Sequence, residues 1–181
     1  MVDAIIERRA EHWFGLVDVD GDGAIEHADL QALARRIAER LGNDMSSAQG
    51  RQIKRAYERA WETIAEALDA DHDQRISRAE FVSFIEGHAA GEAADTLLRP
   101  IAEAEFAAAD TDGDGLLSRA DYIKLLKASG LSAEDAEHGA ANVDLDGDGR
   151  IDVEEYVRMC RDYFAAGGAR PGAGEVFGAA L

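Results

Sequence analysis

Asp144-Leu145-Asp146-Gly147-Asp148-Gly149-Arg150-Ile151-Asp152-Val153-Glu154-Glu155 gathers six acids into twelve residues. It fits the pattern D-x-[DN]-x-[DN]-G-x5-E, and each fixed position has a chemical reason. Asp144, Asp146 and Asp148 put three carboxylates around one point of a turning loop. The backbone carbonyl of Arg150 adds a neutral oxygen, and Asp152, at position nine, acts through water. Glu155, at position twelve, can give two oxygens and complete a shell of about seven around a hard cation, Ca²⁺ foremost. Gly149 has no Cβ to oppose the sharp turn. Carboxylates held this close repel one another until a cation neutralises them.

Three more stretches repeat the spacing. In the first loop Asp18, Asp20 and Asp22 fill positions one, three and five, with the Ala24 carbonyl, Glu26 and Asp29 completing the set. The second offers Asp69, Asp71, Asp73, the Arg75 carbonyl, Ser77 and Glu80. Its sixth position is Gln74 rather than glycine. If that turn keeps a positive φ, the side chain costs roughly 1–2 kcal/mol, which weakens binding about 5- to 30-fold. Arg75 and Arg78 are expected to reduce the negative field of this loop. The third has Asp110, Asp112, Asp114, the Leu116 carbonyl, Ser118 and Asp121. Position twelve thus alternates Asp29, Glu80, Asp121, Glu155. Aspartate is one methylene shorter and reaches less easily with both oxygens. The first and third loops are therefore expected to prefer Ca²⁺ less and to admit Mg²⁺.

Helices must carry these loops, and apolar residues at three- and four-residue spacing supply them. A helix from about Asp3 to Val17 puts Ile6, Ala10, Trp13, Phe14 and Val17 on one face. Leu30, Leu33, Ala34 and Ile37 predict one that leaves the first loop and ends near Gly42. Ser46 with Gln49 predicts a capping box for a helix reaching Leu68, with Ile53, Tyr57, Trp61, Ile64 and Leu68 buried. Phe81, Phe84 and Ile85 begin the helix after the second loop, and Gly87 to Asp95 marks a bend. Pro100 stands early in a helix bearing Ile101, Glu105, Phe106 and Ala109. Tyr122, Leu125 and Leu126 follow the third loop. Gly130 ends that helix, and Ser132 with Asp135 caps the next, where Ala136, Ala140 and Val143 lead into the fourth loop. Tyr156, Met159, Cys160 and Tyr163 leave it. Gly167 to Gly174 breaks the pattern. The tail, with Val176, Phe177 and Leu181, either folds back over an apolar gap or stays exposed. Position eight is aliphatic in every loop: Ile25, Ile76, Leu117 and Ile151. Such residues suit a short backbone pairing of loop one with two and of three with four.

Charge narrows the function classes. The 181 residues hold 19 Lys and Arg against 37 Asp and Glu, a formal charge of −18. Nucleic acid and anionic membranes are poor partners for such a chain. Nineteen of the 37 acids lie in the four loops, so the charge has a ligand role beyond solubility. No apolar run approaches the roughly 18 residues of a membrane span, and Met1 to Arg9 has no signal-peptide core. A cytoplasmic monomer is expected. The lone Cys160 excludes an internal disulfide and lies in an apolar pattern that reads as packing. Enzyme chemistry finds no constellation. His27 and His72 occupy non-ligand loop positions, His12, His88 and His138 share no ligand spacing, and a fully coordinated Ca²⁺ lacks the open position that metal catalysis needs.

The four loops and their uneven separations of 51, 41 and 34 residues resemble the EF-hand proteins. Within them, the likeness is to the sarcoplasmic calcium-binding protein family and its bacterial calerythrin-like relatives, over nearly the whole chain. The resemblance implies an all-α fold of four EF-hands in two pairs packed as one compact body. Residues 1–90 would form the N-terminal pair, 91–166 the C-terminal pair and 167–181 a tail. It also implies Ca²⁺ ligation by the loop residues named above and a role in calcium buffering, and the leading reading is an intracellular calcium buffer or transporter. A second hand that binds no metal is frequent in that family, which bears on Gln74. Only three methionines, Met1, Met45 and Met159, argue against the Met-rich groove of a helix-wrapping sensor. The alternative is a sensor that binds a protein target on Ca²⁺ loading. More remote is a luciferin-type small-molecule binder, with Trp13, Trp61, His88, His138 and Tyr163 as the residues that would line its cavity.

Overall fold

The helices form where the apolar spacing demands them, and the acidic stretches turn between them. A computed structural model describes residues 4–87 and 95–164. Helix α1 (Ala4–Val17) enters the first loop, strand β1 (Ala24–Ile25) lies inside it and α2 (His27–Arg40) leaves it. Then come α3 (Ala48–Leu68), β2 (Ile76–Ser77) and α4 (Arg78–Gly87). The second half repeats the order with α5 (Arg99–Ala109), β3 (Leu116–Ser118), α6 (Arg119–Ser129), α7 (Ala133–Ala140), β4 (Arg150–Asp152) and α8 (Val153–Phe164). Most of the Gly87–Asp95 bend, His88 within it, and the tail with Val176, Phe177 and Leu181 lie outside the described residues.

The strands pair as the aliphatic eighth positions predict. β1 and β2 are antiparallel with Ile25 opposite Ile76, and β3 and β4 are antiparallel with Leu117 opposite Ile151. All four residues are at most 1% exposed. Each two-stranded pairing is therefore anchored from the core side, since so short a ladder is marginal alone.

Helix ends follow local chemistry. Past α2, Gly42 takes φ 83°, and the amides of Gly42 and Asn43 bond back to Glu39 and Ala38 at 3.0 and 2.8 Å. This is the pattern that satisfies the last carbonyls of a helix. Pro100 sits in the first turn of α5, where its missing N–H costs nothing. Ser132 caps α7 by accepting from the Asp135 amide at 3.1 Å. The expected Ser46–Gln49 box is not what caps α3. Ser47 does so, accepting from the Gly50 amide at 2.9 Å. Gly50 is required there because a Cβ would stand 2.1 Å from the Asp44 carbonyl oxygen. The buried stripe of α3 is also rotated from expectation. Trp61 is half-buried, and Ala56 and Ala60 take the interior places beside Ile53, Tyr57, Ile64 and Leu68.

One apolar cluster runs through both halves, from Phe14 and Ile37 to Tyr122 and Cys160. Helix α3 lies against α5, and α2 against α6, so the two pairs share a core. At that junction the Glu105 carboxylate is buried and accepts from the hydroxyls of Tyr57 on α3 and Tyr156 on α8, the latter at 2.8 Å. Its surroundings push its pKa up, chiefly through burial, against the pull of the two hydroxyls and of the Arg36 guanidinium.

Candidate metal centres

Each loop folds around its first aspartate. In the fourth, Asp144 accepts from the Gly147 amide at 2.7 Å and from the Gly149 amide at 3.0 Å. Asp18 does the same with Gly21 and Gly23 at 2.9 and 3.1 Å. Asp110 repeats it with Gly113 and Gly115 at 2.8 and 2.9 Å. Burial alone would raise the Asp110 pKa, but these amides outweigh it and hold the carboxyl below its ordinary range. The position-five acids accept from the position-seven amides, Asp22 from Ala24, Asp73 from Arg75, Asp114 from Leu116 and Asp148 from Arg150, at 2.7 to 3.0 Å.

The exit of each loop is a helix cap. The position-nine side chains of Ser77, Ser118 and Asp152 accept from the amides of Glu80, Asp121 and Glu155 at 3.3, 3.2 and 2.8 Å. Glu26 and Asp29 form a reciprocal capping box at the start of α2. In loops one, two and four the twelfth residue also reaches back to the second. Asp29 accepts from the Val19 amide at 3.0 Å, Glu80 from Ala70 at 3.0 Å and Glu155 from Leu145 at 2.6 Å. Capping thus places the last acid of these three loops over the entrance. The Ser77 hydroxyl and amide, donating to Glu80 at 2.7 and 2.9 Å, hold that carboxyl below its usual pKa.

Ligand oxygens converge in all four loops. Asp18, Asp20 and Asp22 bring one oxygen each within 4.8 Å of one another, as do Asp69, Asp71 and Asp73, and Asp110, Asp112 and Asp114. In the fourth loop the converging set is Asp144, Asp146 and Glu155. The donors are carboxylate oxygens throughout, and the first acid of each loop is half-buried or buried while the second is exposed. Such an all-oxygen set fits a hard divalent cation and not a softer metal.

Gln74 has φ 66°, so the strain expected at position six is present. Sequence reasoning missed its neighbour. His72, at position four, has φ 61°. The signal was available, since the other loops carry Gly21, Gly113 and Gly147 there, at φ 72°, 74° and 77°. The two arginines expected to reduce the field of loop two also reach beyond it, although Arg75 still feels the Asp73 charge. The Arg75 guanidinium reaches loop one, 2.7 Å from Asp22 and 3.1 Å from Glu26. Arg78 turns to Glu11 at 3.8 Å and lies over the Phe14 ring.

The aromatic and histidine residues named for a small-molecule cavity are spread apart. Trp13 is buried and stacked on Phe81 with ring centres 5.2 Å apart. Trp61 stacks on the exposed His27, and His138 is exposed on α7. His88 and the side chain of Tyr163 lie outside the described residues. Cys160 is buried, and burial pushes its thiol far above the ordinary range, as a packing residue requires.

Comparison with known proteins agrees with this geometry. The model of the EF-hand domain pair matches residues 7–86, 58–127 and 98–161. A probable calcium-binding protein of Oryza sativa subsp. japonica, CML16, is 38% identical over 174 residues, covering 92% of this chain and 83% of that protein. Calerythrin of Saccharopolyspora erythraea is 28% identical over 139 residues, 75% of this chain and 78% of the relative. Among solved structures, a Streptomyces coelicolor calcium-binding protein tied to prokaryotic calcium-mediated regulation superposes with a TM-score of 0.77 at 34% identity. The match covers 88% of this chain and 97% of that one. With acidic loops of this geometry and matches over most of its length, the chain belongs to the EF-hand family of calcium-binding proteins.

Proposed function

We propose that this protein buffers cytoplasmic calcium through all four loops, in a monomer organised as residues 1–90 and 91–166 with a tail from 167. The ligands are the acids and serines at positions one, three, five, nine and twelve, together with the carbonyls of Ala24, Arg75, Leu116 and Arg150. The observation that carries the reading is the convergence of carboxylate oxygens within 4.8 Å in every loop. Bound Ca²⁺ supplies charge neutralisation. The chain supplies hydrogen-bonded turns, capped exits and a core that holds both pairs. Asp29 and Asp121 reach less far than Glu80 and Glu155, so loops one and three are the sites where Mg²⁺ competes.

Buffer is favoured over sensor because the apolar helix faces are already occupied. Val19, at 40% exposure, is the large apolar residue left open among the described residues, whereas a target groove needs a contiguous apolar patch. A sensor has one observation on its side, the resemblance to a Streptomyces coelicolor protein tied to calcium-mediated regulation. Calorimetric Ca²⁺ titration with and without millimolar Mg²⁺, with hydrodynamic radius and an apolar dye followed in parallel, separates the two. Tight binding with compaction and no gain in dye binding is expected. Dye binding that rises with Ca²⁺ loading would establish the sensor instead.

A further inference from the structure

Arginine occupies position seven in both even-numbered loops, as Arg75 and Arg150, while the odd loops have Ala24 and Leu116 there. In each pair this arginine leaves its own loop and binds the other. Arg75 donates to Asp22 Oδ2 at 2.7 Å and stands 3.1 Å from Glu26 Oε1. Arg150 donates to Asp114 Oδ2 at 2.6 Å. Asp22 and Asp114 hold the same place, position five of the odd loop, and the other oxygen of each accepts the amide of Ala24 or Leu116. The strand register explains the repetition. Arg150 stands opposite Ser118, position nine of loop three, and the pairing of Ile76 with Ile25 carries Arg75 to the matching place beside Glu26. Two pairs of unlike sequence thus make the same cross-loop ion pair in the same direction.

A guanidinium on one oxygen of a ligand carboxylate opposes the binding of a divalent ion by that carboxylate. It draws off part of the carboxylate's charge and adds a positive charge within the Coulomb field of the ion. We propose that Arg75 and Arg150 are affinity-setting counter-ions for loops one and three, each lowering the odd loop's divalent-ion affinity. The same bridge couples the loops of a pair. The arginine's backbone carbonyl belongs to the even loop and its side chain to the odd one, so filling either site shifts the group that the other feels. Coupling of this kind is reciprocal. The inference rests on the assignment of the odd loops as cation sites under the proposed function, and it adds the residue that grades them.

Arg75→Gln and Arg150→Gln in the full chain test it. Both side chains are about half exposed, and position seven ligates through its backbone, so fold and even-loop ligands are kept. The backbone amides of Gly23, Gln74, Gly115 and Gly149 report the four loops separately by NMR during Ca²⁺ and Mg²⁺ titration. R75Q is expected to tighten loop one, and R150Q loop three, by about 3- to 10-fold in low salt, and less in about 0.5 M salt, where screening is short-ranged. R75K, which keeps the charge, is expected to lie nearer the wild type. The Arg75 Nε–H signal of the metal-free protein should move as loop one fills. Equal or weaker odd-loop affinity in the glutamine variants would overturn the counter-ion role while leaving the sites intact. Gly23 and Gly115 signals that never respond, in wild type or variants, would overturn the site assignment as well.

Discussion

His72 and Gln74 are the residues on which the second loop turns. Each holds a left-handed backbone that glycine adopts freely and other residues adopt at a cost of roughly 1 kcal/mol. The loop keeps three converging carboxylates, Asp69, Asp71 and Asp73, so on the proposed reading the backbone is what sets it apart. We expect Gln74→Gly to tighten Ca²⁺ binding at loop two about fivefold, and His72→Gly with Gln74→Gly about tenfold or more. The backbone amides of the second loop in the NMR titration, or calorimetry, give the readout. Less than a twofold gain in the double variant would mean that the strain is relieved elsewhere. The clustering of the loop carboxylates was legible in the sequence, because acids at alternate positions of a tight turn must face one point. Gln74 was legible as a departure from a pattern. His72 would have been, had position four been compared across the loops. The reach of Arg75 to Asp22 was not, because a long side chain chooses among acids that only the folded pairing brings close.

Helix placement was legible where the apolar period was strong, and it slipped where small residues decide. Ser47 caps α3 in place of Ser46 because the Gly50 backbone closes against Asp44, and such a contact leaves no trace in a pattern of apolar residues. Glu105 is the larger omission. It reads as a polar residue on a helix, yet it is buried where α3, α5 and α8 meet, with Tyr57 and Tyr156 donating to it. Tyr122 packs edge-on against Tyr156 with ring centres 5.5 Å apart, and its buried hydroxyl has no partner among the described residues. The two tyrosines should therefore respond in opposite ways. Tyr57→Phe leaves a buried acceptor short of a donor and should cost about 1–3 kcal/mol, whereas Tyr122→Phe removes an unsatisfied group and should be neutral or stabilising. Urea unfolding of both variants checks this, and equal losses would count against it. Glu105 also titrates with a sign that can be tested. Its folded pKa is raised, mainly by burial, so the folded state holds the proton more tightly than the unfolded chain does. Its stabilising contribution is complete below the ordinary glutamate value and is lost as pH rises through the raised one. Glu105→Gln cannot titrate. The stability of wild type minus variant, in metal-free protein, should fall as pH climbs above the ordinary glutamate pKa of about 4.3. A difference that rises or stays flat would show that Glu105 is not buried in this way.

The two pairs share one apolar cluster, yet the chain carries a formal charge of −18, and these facts pull against each other. Half the acids are gathered in loops at the ends of the helices that build the core, so their repulsion acts on the same elements that packing must hold together. Four Ca²⁺ would add eight positive charges and bring −18 to −10. Cation binding is therefore folding energy for the molecule as well as occupancy of its sites. A single site with free Ca²⁺ at 100 times its Kd adds about 2.7 kcal/mol, large beside the usual 5–15 kcal/mol of a domain. Salt discriminates this account from one in which the loops bind without consequence for the core. In metal-free protein, raising ionic strength from about 0.01 to 0.5 M shortens the screening length from roughly 30 Å to a few ångström and should raise the thermal midpoint by relieving the loop repulsion. In Ca²⁺-loaded protein the same change should do much less, because the repulsion is already neutralised. The shared core adds a further condition. Glu155→Gln, expected to disable loop four on the proposed reading, should lower the Ca²⁺-loaded midpoint of the whole protein in one transition rather than split it into two. Separate melting of the halves, or equal salt effects in the metal-free and loaded states, would mean that the junction at Glu105 does not bind the pairs into one cooperative unit.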